Sequence, residues 1–386
     1  MIDPTSSARR PDGFRPDLEG LRAVAVLLVL LFHAGIPGFG GGYVGVDVFF
    51  VLSGFLITGL IVRELQDRGS VDLPAFYARR ARRLLPAAAL TLLATVVAAA
   101  ILLPPLTVPD VAADAAAAAV YVSNIRFAVQ ATDYLNSQLP PSPLLHFWSL
   151  GVEEQFYLFW PALLLLTASL VGRRRRRARR VEPRSWPAIH RRLVRVVAIV
   201  TVASFALAVY LTPIAQPLAF FLLPTRAWEL GLGALISLVG ASAGSLTANG
   251  RRVFVGTGIG AVVATGLLLN ESTPFPGVAA LLPTLGAGLV ILGGIGADHT
   301  RGPSVLLALP PLRFLGRISY SLYLWHWPIL VLPAAVVAGG LPLHVSIALA
   351  GVAVVVAAAS ERWIERPFRQ GAIVRWPTRT TLAAAG

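Results

Sequence analysis

Apolar runs alternate with short polar breaks along almost the whole chain, at residues 22–36, 44–62, 84–103, 150–171, 193–211, 218–238, 253–269, 278–296, 318–337 and 343–361. A helix needs about 20 apolar residues to cross roughly 30 Å of hydrocarbon. The pattern therefore predicts an all-α, polytopic membrane helix bundle of about ten transmembrane helices. Residues 1–370 read as one membrane domain, and 371–386 as a cytoplasmic tail or the start of a further span. The first span follows a polar leader and reads as a retained anchor, with no cleavable signal before it. No internal repeat is visible, which counts against a transporter of the inverted-repeat kind. Two interruptions carry structure of their own. The middle of the long loop 104–149, "VAADAAAAAVYVSNIRFAVQ", has helical periodicity but is too polar to span, and is expected to lie over the outer face. The piece 72–83, "DLPAFYARRARR", predicts a short helix approaching the membrane.

Composition agrees with the pattern: 56% of the 386 residues are hydrophobic and 13% charged, against about 25% charged in an average soluble domain. The formal net charge of +14 first suggests a nucleic-acid partner. Its placement argues otherwise. All 33 basic residues are arginine, and on the expected topology all but Arg126 and Arg226 fall on one side. The positive-inside rule makes that side cytoplasmic and puts both termini there. The run "RRRRRARR" at 173–180 then reads as a topology anchor in contact with lipid headgroups. No nucleic-acid partner is expected. The chain has no cysteine, which excludes thiolate metal sites and a thiol nucleophile.

Ionisable groups at membrane depth are costly and point to sites or to internal pairs. Arg22 and His33 are 11 residues apart, about three helical turns, so they share a face about 16 Å apart along the axis. The segment after His33, "AGIPGFGGGYVG", cannot continue a helix. Irregular backbone at this depth persists only against protein or a cavity, so a cavity or a tightly buried loop is expected beside His33. On the next span, Asp47 has three readings: a partner of His33, a partner of the glycine backbone, or a helix-start residue. Ser53 and Thr58 lie deeper. His146, Ser149, Glu153 and Tyr157 form one stripe, with Glu154 on the adjacent one. Arg226 and Glu229, at i and i+3, suit an internal ion pair. Tyr320, Tyr323 and His326 stack along a later span, where His326 reads equally as pocket lining or packing. Two overlapping Arg-x-x-Arg pairs, Arg79/Arg82 and Arg80/Arg83, each project to one side of a helix and suit a phosphate. With Arg22 they outline a cytoplasmic site for a phosphate-bearing ligand.

The segments "RPDLEGLRAVAVLLVLLFHAG", "GGYVGVDVFFVLSGFLIT", "FYARRARRLLPA", "LLHFWSLGVEEQFYLFWP", "TRAWELGLGAL", "GRISYSLYLWHWP" and "ERPFR" occur in this order over residues 15–369. In these the chain resembles the acyltransferase-3 family of integral membrane O-acyltransferases. The resemblance implies a ten-span bundle that passes an acyl group, typically acetyl, from cytoplasmic acyl-CoA to a hydroxyl of a sugar or other glycoconjugate. No tightly bound cofactor is implied. Its required arginine and histidine fall on Arg22 and His33. Its Arg-x-x-Arg element falls on Arg79 and Arg82 or, one residue later, on Arg80 and Arg83. Longer members continue into an extracytoplasmic SGNH-type domain that this sequence lacks, which raises the possibility of a separate SGNH-type partner.

The expected scheme is as follows. Arg22 and the Arg79–Arg83 cluster hold the CoA phosphates, and His33 acts as general base or as transient acyl carrier. Glu153 or Glu154 orients the carbohydrate or glycolipid acceptor or takes its proton. Membrane lipids surround the protein. Asp47, Ser53, His146, Ser149, Tyr323 and His326 complete the pocket. Competing readings are a secondary transporter or lipid-linked sugar exporter, and a tailoring acyltransferase acting on a small molecule such as a macrolide.

Overall fold

The computed structural model describes residues 15–132, 141–172, 186–240, 246–337, 339–370 and 378–383. Helices account for nearly all of them, and no strand occurs among the described residues. The order begins with α1 (Pro16–His33), α2 (Gly45–Arg68) and α3 (Leu73–Leu102), followed by two short helices, α4 (Val108–Ala119) and α5 (Ser123–Thr132). Next come α6 (Phe147–Gly172), α7 (Trp186–Leu211), the short α8 (Gln216–Phe221), α9 (Leu223–Val239), α10 (Ala248–Leu268) and α11 (Leu281–Gly294). The chain closes with α12 (Ser304–Leu307), α13 (Pro310–Val336), α14 (Leu343–Ser360), α15 (Arg366–Gln370) and α16 (Thr378–Ala383). A π-helical turn, Glu361–Glu365, joins α14 to α15.

Nine of the ten apolar runs fall mainly on one helix each. Among the described residues, six stretches are long and apolar enough to cross a membrane: Gly42–Arg68, Leu73–Leu102, Trp186–Leu211, Gln216–Val239, Ala248–Leu268 and Leu343–Gln370. Three details depart from the sequence expectation. The approach piece 72–83 and the span after it form one continuous helix, α3, capped by Asp72 accepting from the Ala75 amide at 3.0 Å. The helical pattern of the loop 104–149 breaks in two at Tyr121, whose φ is +56° and which lines a cavity between the spans, so this loop does not simply lie over a face of the bundle. The run 218–238 is divided between α8 and α9, the second of which starts with a proline in its first turn. The arginine run 173–180 lies outside the described residues.

Apolar side chains gain little by leaving lipid for a neighbouring helix, so close packing of small residues takes a larger share of helix association. The α2–α9 contact is built this way. A Cβ on Gly54 would fall on the backbone of Leu230, and one on Gly233 on the carbonyl of Val51. Gly54→Val is expected to lower stability by about 1–3 kcal/mol, the range for overpacking. The thermal midpoint of the detergent-purified protein reads this, with Gly351→Val, where nothing lies within 4 Å, as a control of unchanged midpoint. Equal midpoints would contradict the packing argument.

The glycine segment after His33 serves two ends. Gly35 and Gly38 have φ of +69° and +87°, a backbone region open mainly to glycine, and turn the chain away from α1. Gly42 and Gly45 then bring the start of α2 against the α1 backbone, at Leu28 and Ala25. The result is a tight loop beside His33.

Candidate active site

Five helices, α1, α2, α3, α6 and α13, place most of the polar side chains singled out in the sequence around two cavities; His326, expected to line the pocket, is fully buried and lines neither. The first lies toward the arginine-rich end of α1 and has a volume of about 120 Å³. Arg22, Ser53, Arg80, Arg83, Ser149, Glu153 and Glu154 line it. The second, about 460 Å³, lies at the other end of α1 and is lined by His33 and His146, with aromatic walls from Phe32, Trp148, Phe275 and Trp327. Val46 and Tyr323 line both cavities. They form the wall between them.

In the arginine cavity the overlapping Arg-x-x-Arg pairs separate. Arg80 and Arg83 face the cavity. Arg79 is exposed, 3.8 Å from Glu64, and Arg82 donates to Thr381 at 3.0 Å. Arg80 makes a 2.6 Å ion pair with Glu154, and its guanidinium lies 3.5 Å above the ring of Tyr157. Glu153 accepts from Ser53 at 2.6 Å and from the hydroxyl of Tyr157. Arg22 donates to Ser319 at 3.1 Å and has no carboxylate within ion-pair distance among the described residues. Arg83 likewise has none. Two of the three arginines are therefore left to meet an anion. Tyr121, between α4 and α5, also lines this cavity, and burial pushes its phenol above the usual range.

Glu153 and Glu154 thus sit among the arginines, not beside His33, although one helical stripe relates Glu153 to His146. The reason is the direction of α6: it starts near His33 and runs toward the arginine-rich end. Glu153 lies one turn beyond Ser149, at the wall, and already faces the first cavity.

Around the wall, Ser149 and Tyr323 share a 2.6 Å hydroxyl contact, and Tyr323 donates to the His146 carbonyl at 3.0 Å. Beyond it three histidines converge from distant parts of the chain. His33 Nδ1 lies 3.0 Å from His326 Nε2, with the rings stacked 24° from parallel. His326 Nδ1 approaches the carbonyls of Leu322 at 3.1 Å and Tyr323 at 2.7 Å. The ring of His146 is 5.7 Å from that of His326, and its Nε2 donates to the Leu324 carbonyl at 3.0 Å. That carbonyl is free for a local reason. Its helical donor would be residue 328, a proline inside α13 with no N–H. Trp327 packs edge-on against His33 with ring centroids 4.5 Å apart.

Asp47 lies elsewhere. It is fully buried, 3.3 Å from Arg226, which in turn is 3.0 Å from Glu229. Phe50, Trp148, Phe220 and Phe275 surround the guanidinium at 5.4–5.7 Å. Asp47 partners neither His33 nor the glycine backbone: it clips α2 to α9 across the close glycine contact. A cation 179 residues away in sequence, deep in the bundle, outcompetes a neutral ring for a buried carboxylate.

Residues not singled out as site residues complete the cavities. Ser319 carries Arg22, and Tyr157 holds both Glu153 and Arg80. Gln216, Glu271 and Thr273 put polar groups on the His33 cavity. Tyr157 was visible as a member of the α6 stripe, and Ser319 lies one residue before Tyr320 in "GRISYSLYLWHWP". For Gln216, Glu271 and Thr273 no sequence pattern offered a signal.

A family model described as an acyltransferase domain, Acyl_transf_3, matches residues 15–361. The chain is 30% identical over 373 residues to the peptidoglycan O-acetyltransferase OatA of Listeria monocytogenes, covering 94% of this chain and 57% of that protein. It is 31% identical over 366 residues to the O-acetyltransferase OatA of Staphylococcus aureus, covering 92% of this chain and 57% of that one. The chain thus spans little more than half the length of these relatives. No solved structure matches it. With the family model covering most of its length and both cavities, the chain belongs to the acyltransferase-3 family.

Proposed function

We propose that this domain moves an acyl group, acetyl in the first instance, from acyl-CoA on the cytoplasmic side to a carbohydrate hydroxyl on the other side of the membrane. The observation that carries the reading is the pair of cavities that meet at Val46 and Tyr323, one rich in arginine and one holding His33. The arginine distribution supports a reading with about ten spans and both termini in the cytoplasm. The relatives' names make a peptidoglycan hydroxyl the first acceptor to test.

The donor's anionic end fits the arginine cavity, where Arg22 and Arg83 have no carboxylate at ion-pair distance among the described residues. Charge-assisted hydrogen bonds from guanidinium to phosphate are strong and directional. The slender thioester arm points along the cavity toward the wall. At the wall the acceptor hydroxyl, in the second cavity, gives its proton to the His33 imidazole while its oxygen attacks the thioester carbonyl. The C–S bond breaks, and CoA leaves as thiolate and takes the proton back. In the alternative sequence the imidazole itself accepts the acyl group from the thioester and then yields it to the hydroxyl. Ser53 and Tyr157 keep Glu153 engaged, and Arg80 keeps Glu154 engaged, so the carboxylates shape the cavity and offset its positive charge. No tightly bound cofactor is part of the scheme. Delivery to the final acceptor by a separate SGNH-type transferase is compatible with it.

The test is transfer of labelled acetyl from acetyl-CoA to a muropeptide or oligosaccharide acceptor by the protein in proteoliposomes. Arg83→Ala is expected to raise the KM for acetyl-CoA about tenfold or more, the loss of one charged hydrogen bond. Arg79→Ala, whose side chain points away, is expected to leave it unchanged. The reverse result would move the donor to the other face of α3. Acetyl-CoA consumption with no acetylated product, or transport of the acceptor without acetyl-CoA, would overturn the reading.

A further inference from the structure

Donor and acceptor arithmetic fixes more about His33 than its position. His326 Nδ1 faces two backbone carbonyl oxygens, Leu322 at 3.1 Å and Tyr323 at 2.7 Å. Carbonyl oxygens only accept, so this nitrogen carries a hydrogen. A neutral imidazole has one N–H, which leaves His326 Nε2 as a bare lone pair. That lone pair lies 3.0 Å from His33 Nδ1. Two lone pairs would repel at this distance, so the hydrogen between the rings belongs to His33 Nδ1. The remaining ring nitrogen of His33, Nε2, is then unprotonated on the edge away from His326.

We propose that His326 is a positioning residue that holds His33 in the Nδ1–H tautomer, so that His33 Nε2 is the atom that takes the acceptor's proton or the acyl group. The proposal deepens the reading of His33 as the reactive group and rests on it. Three features make His326 suited to the task. It is fully buried, and its Nδ1–H is held by carbonyls of its own helix, so its tautomer is set by α13. The stacked contact with His33, together with Trp327 edge-on to the same ring, leaves the His33 ring little freedom to turn over. The arrangement also offers help when His33 becomes positively charged. Its Nδ1–H then donates to an imidazole nitrogen whose own ring is polarised by two carbonyl dipoles. This gives part of the support that a carboxylate provides to a catalytic histidine, without placing a second charge at this depth.

Two substitutions separate the parts of His326. In His326→Asn the shorter amide can still reach the Leu322 and Tyr323 carbonyls, but it leaves nothing opposite His33 Nδ1. In His326→Gln the longer amide can put an oxygen where Nε2 stood. Nitrogen NMR of the full chain labelled with [15N]histidine reads the tautomer directly, with the His33 signals assigned by their loss in His33→Ala. The expected result for the parent protein is a His33 ring protonated at Nδ1 and bare at Nε2. In His326→Asn the His33 signals should report a mixture of tautomers. Its kcat should fall about 10- to 100-fold, the range for loss of a partner that orients a reactive side chain, while the KM for acetyl-CoA holds. His326→Gln should recover most of kcat.

A parent spectrum with His33 protonated at Nε2 would overturn the proposal on its own, whether or not any variant folds. So would a His326→Asn protein with parental kcat. Failure of the underlying reading looks different: His33→Ala would keep full transfer while the parent spectrum still shows the Nδ1–H form.

Discussion

His33→Ala should reduce acetyl transfer about 10²- to 10⁴-fold, the range for losing a positioned proton acceptor, and more if the imidazole carries the acyl group. The protein should remain folded, because His33 is only half buried and its one hydrogen bond is to His326. Acetyl-CoA should still raise its thermal midpoint, since in the proposed scheme its anionic end meets the arginines at the far end of α1. The two chemical roles of His33 separate on rapid quenching. An acyl carrier leaves a mass increase of one acetyl group on the peptide containing His33 when donor is supplied without acceptor, and a general base leaves none. Parental transfer rates in His33→Ala would remove this residue from the mechanism.

The second large effect concerns stability. Arg226 is fully buried between Asp47 and Glu229 and sits among four aromatic rings. Replacing it by methionine leaves two buried carboxylates facing each other with no cation between them. Stranding a buried partner in this way costs about 3–5 kcal/mol. Arg226→Met is therefore expected to lose most of its folded yield, or to melt far below the parent. Replacing all three charges at once, as Asp47→Asn, Arg226→Met and Glu229→Gln, should restore much of the loss, because the penalty belongs to the unpaired charges. A single variant that melts with the parent would mean that the three side chains do not act as a unit.

Parts of this architecture were legible in the sequence for reasons that can be stated. The helices were, because apolar runs of this length have one stable form in hydrocarbon. So was the broken helix after His33, because Gly35 and Gly38 mark a backbone that no helix uses. The split of roles within "ARRARR" was not legible, since both Arg-x-x-Arg pairs satisfy the same spacing. Only the rotation of α3 against α6, expressed in the Arg80–Glu154 pair, decides which arginines face inward. The partner of Asp47 was also hidden: three local candidates stood near it, and the residue it meets lies on α9. His326 reads equally as pocket lining or packing in the sequence, because its contact with His33 joins residues 293 apart. No local pattern records such a contact. The sequence scheme set Glu153 or Glu154 to orient the acceptor or take its proton. The structure puts them on the arginine side of the wall, where they balance charge.

The wall itself has a consequence of another kind. Two wet clefts that approach each other from opposite faces of a bilayer leave only the side chains between them as insulation. On the proposed sidedness, that insulation comes down to Val46 and Tyr323, which line both cavities, with the Ser149 hydroxyl bonded to Tyr323. An energised membrane tolerates no standing leak of protons, so the same few groups that must let an acyl group pass must also hold back ions at every moment of the cycle. On this reading Tyr323, tied to Ser149 and to the His146 carbonyl, is as much a seal on the membrane voltage as a part of the reaction path.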